Sequence, residues 1–164
     1  MAHQLTLTDF QPEDELLEQG GVAGVAVRLH QLGRFWIYYF AVLQQGSVIR
    51  AVRRELKAIR PGELLLNSEE EFGCPQSFPA KLCRDLDRLG IGSIDPFFAE
   101  DVLDGTLLEC RLRPAGGALR HVQLFCWQES EDAQVRQVGD YLQELALSTI
   151  RRLRWRAFAS RFWW

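Results

Sequence analysis

The stretch from residue 104 to residue 150 constrains the fold most, because a turn, two strands and a long helix follow one another in it. Residues 108–113 come after the turn pair Asp104-Gly105 and alternate between apolar and polar types, which predicts a half-buried strand. The loop 114–118 contains a proline and two glycines and can reverse the chain into a second alternating segment, residues 119–127. We therefore expect an antiparallel hairpin with one apolar face.

The alternation of this hairpin also predicts its register. The expected cross-strand pairs are Arg113 with Leu119, Arg111 with His121, Cys110 with Val122, and Leu108 with Leu124. In this register Phe125 and Trp127 add aromatic surface to the polar face.

A helix is predicted directly after the hairpin. Ser130 is a suitable N-cap, and Glu131 and Asp132 would lie in the first turn, near the positive end of the helix dipole. Apolar residues then recur at intervals of three and four, and they are Val135, Val138, Leu142 and Leu145. We expect this helical face to lie across the sheet.

The rest of the chain completes an α+β prediction. Further strands are expected at residues 22–31, 35–43 and 48–56, the last with outward arginines, and helices at residues 12–19 and 77–89. Leu64–Leu66 is either a short strand or the anchor of a loop, and residues 69–75 are expected to form an exposed loop. The predicted fold is one globular domain, residues 1–164, with an antiparallel meander of about five strands and helices packed on it, including a long C-terminal helix.

The sequence offers little support for catalysis or for a cofactor. HExxH, GxSxG, GxGxxG and Walker A patterns do not occur. Cys110 and His121 are expected on opposite faces of the hairpin, which argues against a nucleophile and its base. The acidic residues of the 95–104 region are ordinary turn residues without the spacing of a calcium loop. We expect no enzyme, no catalytic residue, no cofactor and no metal.

Composition favours a cytoplasmic location and a protein partner. The N-terminus lacks the features of a signal peptide, and charged residues interrupt the apolar stretch 20–43, so no membrane span is expected. The four cysteines, Cys74, Cys83, Cys110 and Cys126, have no CxxC spacing and are expected to be reduced. A net charge of −3 and a pI near 5.6 argue against nucleic acid.

The charges are distributed unevenly between the two ends. Residues 1–20 form an acidic segment without Lys or Arg, whereas residues 151–164 contain five arginines and five large aromatic residues without an acid. Three alternatives are open for this C-terminal segment. It packs on its own domain through Leu153, Ala157 and Phe158, it forms a docking surface, since Trp and Arg are enriched among interface hot spots, or it is a membrane-surface helix. The residues predicted to bind a partner are Glu69, Glu70, Glu71, Trp155, Phe162, Trp163 and Trp164.

The order of elements from residue 77 to residue 147 resembles a pattern of small bacterial α+β proteins. It consists of a helix, Leu103-Asp104-Gly105-Thr106, a strand, Gly116-Gly117, a strand ending in Phe125-Cys126-Trp127, and a helix. Some proteins with this pattern resemble immunity proteins of contact-dependent or secreted toxin systems. The resemblance implies a cytoplasmic protein that works by binding, and it carries no functional residues across.

We therefore expect a non-enzymatic bacterial protein-binding domain, with an immunity protein that neutralises a cognate toxin as its specific form. The acidic segment 1–20 and Glu69–Glu71 would meet a basic cleft of the partner. Two alternatives remain open: a domain that binds a small molecule or peptide through Trp36, Tyr38 and Phe40, and an enzyme without a recognisable motif. A homodimer is also open.

Overall fold

The computed structural model describes residues 11–33, 35–60, 63–102 and 104–147. The helices are α1 (Pro12–Gln19), α2 (Phe78–Arg88) and α3 (Ala133–Leu147), with a 3-10 helical turn at Trp127–Glu129. The strands are β1 (Ala23–Gln31), β2 (Trp36–Gln45), β3 (Val48–Arg60), β4 (Glu63–Glu71), β5 (Phe97–Phe98), β6 (Thr106–Arg113) and β7 (Arg120–Phe125).

All seven strands belong to one sheet with the order β4-β3-β2-β1-β6-β7-β5. Every neighbouring pair is antiparallel except the short β5–β7 pair, which is parallel. The α+β class and the long helix α3 on the sheet are confirmed. Within the described residues the sheet has seven strands rather than about five, because β5 and β4, of which only Leu64–Leu66 was open as a short strand, add to the predicted set.

Strand β4 corrects the predicted loop at residues 69–75. Glu69, Glu70 and Glu71 are the last three residues of β4, where Glu69 pairs with Arg54 and Glu71 with Val52 of β3. Every residue of β4 is exposed or half-buried, so its sequence lacks the alternating burial pattern by which strands are recognised. Pairing with β3, which runs four residues beyond its predicted end, supplies the strand geometry instead.

The β6–β7 hairpin has the predicted register. Cys110 lies opposite Val122, Leu108 opposite Leu124, and Arg111 opposite His121. The predicted position of Trp127 on the polar face is wrong, because Cys126 has a positive φ of 49° and turns the chain towards the core. The indole of Trp127 is fully buried there and donates a hydrogen bond from Nε1 to Asp140 Oδ1 at 3.0 Å.

Helix α3 packs on the sheet through the predicted apolar face. Its four predicted residues, Val135, Val138, Leu142 and Leu145, are all buried. The helix begins at Ala133 and not after Ser130, whose hydroxyl accepts a hydrogen bond from the Asp132 backbone N–H at 3.1 Å. The Asp132 carboxylate then accepts the Gln134 N–H at 2.8 Å and supplies the cap that Ser130 was predicted to supply.

The sheet separates two unlike layers. Helices α2 and α3 cover one face over a large apolar core that includes Val27, Phe40 and Leu108. Helix α1 covers the other face over a smaller apolar cluster around Leu17, Tyr39 and Val52. Within the described residues, no helix is long and apolar enough to cross a membrane.

The four cysteines are free thiols, as predicted. Burial raises the pKa of Cys74 and of Cys83 to about 11, and raises the pKa of Cys110 further. Thiolate is the reactive form, so we expect iodoacetamide at pH 8 to leave Cys110 unmodified in the folded protein and to modify it in urea. Peptide mass spectrometry measures both, and rapid native labelling of Cys110 would contradict its burial.

A buried ion-pair row and an exposed acidic edge

A row of polar side chains crosses the sheet on the face covered by α1. Its members lie opposite one another on β4, β3, β2, β1, β6 and β7, and they are Glu69, Arg54, Tyr39, Arg28, Glu109 and Gln123. Arg111 of β6 joins this row from the same face. Arg28, Arg54, Glu109 and Arg111 are buried, although charged residues are rarely buried unless they are paired.

Helix α1 supplies the carboxylate at one end of the row. The Glu13 carboxylate is fully buried and binds the Arg54 guanidinium in a bidentate manner, at 2.5 and 2.8 Å. Arg54 Nε also donates to Glu69 Oε2 at 2.5 Å, and its guanidinium lies 5.8 Å from the Tyr39 ring centroid. The prediction that the β3 arginines point outward is therefore wrong for Arg54.

The centre of the row is bound by Asp14 of α1. Its carboxylate accepts hydrogen bonds from Arg28 Nη2 and from the Tyr39 hydroxyl, both at 3.0 Å, and Arg111 Nη1 lies 3.8 Å away. Arg111 Nε donates to Glu18 of the same helix at 3.2 Å. The carboxylates of Asp14 and Glu18 thus tie three strands, β1, β2 and β6, to one short helix.

These contacts change the acidity of the row. Burial alone would raise the pKa of Glu13, but the hydrogen bonds and charge of Arg54 outweigh it and lower the pKa. The pKa of Glu109 is also lowered. Its burial would raise the pKa, but the His121 hydrogen bond and the charges of Arg28 and Arg111 outweigh that effect. Burial, followed by the charges of Asp14 and Glu13, raises the pKa of Tyr39, so its hydroxyl stays protonated as a donor.

Stability should fall in two steps as the solution is acidified. Burial and the Arg28 charge lower the pKa of His30 below its ordinary 6.5, so the unfolded chain takes up this proton first as pH drops below about 6.5. The lowered pKa values of Glu13 and Glu109 stabilise the fold above 4.5, and this contribution disappears as pH falls below 4.5.

Urea unfolding at pH 7.5, 5.5 and 4.0 measures both steps. We expect His30→Gln to remove the decrease between pH 7.5 and 5.5 and to leave the decrease towards pH 4.0. Equal unfolding midpoints at all three pH values would contradict the assigned pKa directions.

The predicted partner-binding residues lie partly on the exposed edge strand β4. Glu69 is engaged by Arg54, and Glu71 lies 3.6 Å from Arg50. Glu70 is exposed and has no ion-pair partner among the described residues. The other four predicted residues lie outside the described residues, and they are Trp155, Phe162, Trp163 and Trp164. The residues of the C-terminal packing interpretation, Leu153, Ala157 and Phe158, lie outside them as well.

The aromatic alternative is only partly present as a surface. Phe40 is fully buried in the core and stacks with Phe72 at 6.1 Å between ring centroids. Trp36 and Tyr38 are half-buried, and Lys57 Nζ lies 5.9 Å from the Trp36 ring centroid. Of the three residues of the predicted aromatic face, Phe40 therefore belongs to the core and is not accessible to a ligand.

The catalytic candidates do not come together. Cys110 and His121 lie on opposite faces of the sheet, and His121 Nε2 contacts Glu109 at 3.1 Å instead. In the described part of the chain, no three His, Cys, Asp or Glu residues form a group that could hold a metal ion.

An open depression of about 410 Å³ lies between the turns at Gly21 and Gly46 and the 114–117 loop. Its charged residue, Arg113, donates to the Leu17 carbonyl at 2.9 Å and so caps α1.

The ion-pair row was missed because its signal is distributed over the whole chain. Acidic Glu13 and Asp14 and the alternating arginines of the strands are visible in the sequence, but their pairing spans up to about a hundred positions.

Comparison of the chain with models of protein families, with curated proteins and with solved structures finds no match.

Proposed function

We propose that this chain is a non-enzymatic protein-binding domain that takes a basic, extended segment of its partner along strand β4. The observation that carries this proposal is that β4 is a nine-residue edge strand, exposed or half-buried along its whole length, at one end of an open sheet. An edge strand has backbone N–H and C=O groups directed away from the sheet, and these can pair with an added strand.

The charge of β4 selects the kind of strand that can be added. Glu63, Glu70 and Glu71 would repel a second acidic strand, so they disfavour pairing of two copies through this edge. A segment rich in Lys or Arg would be attracted to the same residues. Acidic edge residues therefore combine protection against self-association with a preference for a basic partner.

Apolar side chains add contact area beside the acidic residues. Leu65 and Leu66 are each about half exposed, and Ile59 of β3 is similarly exposed near the same end of the hairpin. Since Leu65 and Leu66 are adjacent in a strand, they point to opposite faces and could hold the partner from both sides.

An immunity protein that blocks a toxin is the specific form of this proposal. The acidic segment 1–20 contributes less than the sequence suggests, because Glu13 and Asp14 are bound to the protein's own arginines. Exposed Glu70 of β4, with Glu63 and Glu71 beside it, would meet a basic cleft, as electrostatic complementarity requires.

The experiment is an affinity purification from the source cells with tagged wild type, Glu70→Lys and Glu131→Lys. Both substituted residues are exposed, but Glu131 belongs to the connection before α3 and not to β4, and it serves as the matched control. We expect a basic protein to be retained by wild type and Glu131→Lys and to be lost with Glu70→Lys. Coexpression with that protein then tests the toxin form, since wild type should restore growth and Glu70→Lys should not. An acidic partner, or equal retention by all three proteins, would contradict the proposal.

A further inference from the structure

The face of the sheet under α1 is built like a receptor for carboxylates. Arg54, Tyr39 and Arg28 lie side by side on β3, β2 and β1, and Arg111 lies beyond them on β6. These four side chains, here called the arginine face, are all buried and all contact carboxylates of α1. Guanidinium groups suit this task because their planar arrangement of donors matches a carboxylate.

Helix α1 is held on the arginine face mainly by charge. It has eight residues, of which Leu17 is the fully buried apolar one, while Leu16 is partly buried. Its buried acids Glu13 and Asp14 make the close contacts, at 2.5 to 3.0 Å. A helix this short is not stable alone, so it is held by these ion pairs together with the packing of Leu17 and the Arg113 hydrogen bond to the Leu17 carbonyl.

The connection from α1 to β1 permits a change of direction. Gly20 and Gly21 both have positive φ, 84° and 76°, and a Cβ added at either would meet nothing within 4 Å. There is therefore open space at the Cβ position of both glycines, although Gly20 is half-buried and only Gly21 is exposed. Such a link can act as a hinge that absorbs dihedral changes.

We propose that the arginine face is a binding site for acidic peptide segments with two consecutive carboxylates, and that α1 is its occupant within the same chain. An external segment of this kind binds when α1 turns away on the Gly20-Gly21 hinge. The tethered helix competes at an effective concentration of the order of millimolar, so the site is largely blocked in the intact protein. This site adjoins β4 through the Arg54–Glu69 contact, but its proposal does not depend on the basic partner proposed for that strand.

The test uses a fluorescein-labelled peptide with the sequence of residues 11–20. The control peptide carries Gln at the position of Glu13 and Asn at that of Asp14. Both are titrated into the full-length wild type and into the full-length variant Glu13→Gln/Asp14→Asn, whose own helix no longer supplies the carboxylates. We expect the acidic peptide to bind the variant at least about tenfold more tightly than wild type, because the tethered competitor is weakened. Raising NaCl from 50 to 500 mM should weaken this binding, and the control peptide should bind neither protein.

A folded variant, with its β-sheet circular dichroism and cooperative melting intact, that fails to bind the acidic peptide would overturn the proposal. Equal binding of the two peptides would do the same, since the carboxylates would then be irrelevant. If the variant does not fold, hydrogen exchange of the wild type decides: excess acidic peptide should speed exchange of α1 amides and leave those of β2 unchanged. If excess acidic peptide left the hydrogen-exchange protection of the α1 amides unchanged, the proposal would also be overturned.

Discussion

Leu142→Asp should unfold the domain. Leu142 is fully buried on α3, in the middle of the face that packs on the sheet. An aspartate there would either bury an unpaired charge or push the helix away from the core, and we expect a loss of more than about 4 kcal/mol. Domains are commonly stable by only about 5–15 kcal/mol, so most of the folded population should disappear on mild heating.

Thermal unfolding followed by far-ultraviolet circular dichroism measures this effect. Gln137→Asp is the matched control, because it introduces the same side chain at an exposed position of the same helix. We expect its cost to stay within the range of helix propensities, below about 0.7 kcal/mol. A melting midpoint for Leu142→Asp equal to that of the control would mean that α3 does not pack on the sheet through this face.

Arg54→Met should produce the second largest loss. It leaves the fully buried Glu13 carboxylate without its bidentate partner and removes the guanidinium bound to Glu69. Removing one member of a buried ion pair costs about 3–5 kcal/mol. We expect the lower end, about 3 kcal/mol, because α1 can move away and return Glu13 to water. Urea unfolding at pH 7.5 measures the loss.

Two further proteins separate the ion pair from general effects of removing an arginine. Arg60→Met removes an arginine whose side chain is 79% exposed and which lies 3.9 Å from exposed Glu63, so we expect a change of at most about 1 kcal/mol. Arg54→Met/Glu13→Leu removes both buried charges and should recover much of the stability lost by Arg54→Met alone. If Arg54→Met costs no more than Arg60→Met, the ion pair does not hold α1 in place.

Short-range patterns made much of the fold predictable. The Pro114–Ala118 loop and the alternation on both sides of it determine the register of the β6–β7 hairpin, and the pairs of Cys110 and Arg111 follow. The bounds of α1 are also as predicted, because Pro12 begins it and Gly20-Gly21 follow it. In these segments every signal lies within about ten residues of the structure it specifies.

The sequence left Leu64–Leu66 open as a short strand, but the extension of β4 to Glu71 could not be predicted in this way. Both of its faces are exposed, so it has no apolar side to mark a period of two, and Glu is depleted in strands. Its geometry comes from β3, which pairs with it between Val52 and Arg60 across two register shifts. A strand whose geometry comes from pairing with its neighbour does not need an apolar-polar alternation in its own sequence, and β4 has none.

The candidate site was hidden for a different reason. Arginine is usually exposed, so Arg54 was expected to point outward, and its burial depends on Glu13 some forty positions earlier. Trp127 was misplaced because alternation was extended past Cys126, whose left-handed backbone ends the strand pattern. Both errors concern residues whose partners lie on another element.

The antiparallel pairing of β1 with β6 sets the order in which the sheet can form. Strands β1 to β4 follow one another closely in the chain, as do β6 and β7, whereas the β1–β6 pairing joins residues 24–31 to residues 106–113. Closing so long a loop has an entropic cost before any contact repays it, so this pairing should form late and limit the folding rate.

Helix α1 spans this late junction, because Asp14 contacts Arg28 of β1 and lies near Arg111 of β6. The contacts of Asp14 and Glu18 with Arg111 can form only after β6 has joined β1, and therefore after the rate-limiting step. Interactions absent from the transition state act on the unfolding rate. The contacts of α1 with Arg111 should therefore affect how long the folded protein lasts rather than how quickly it forms.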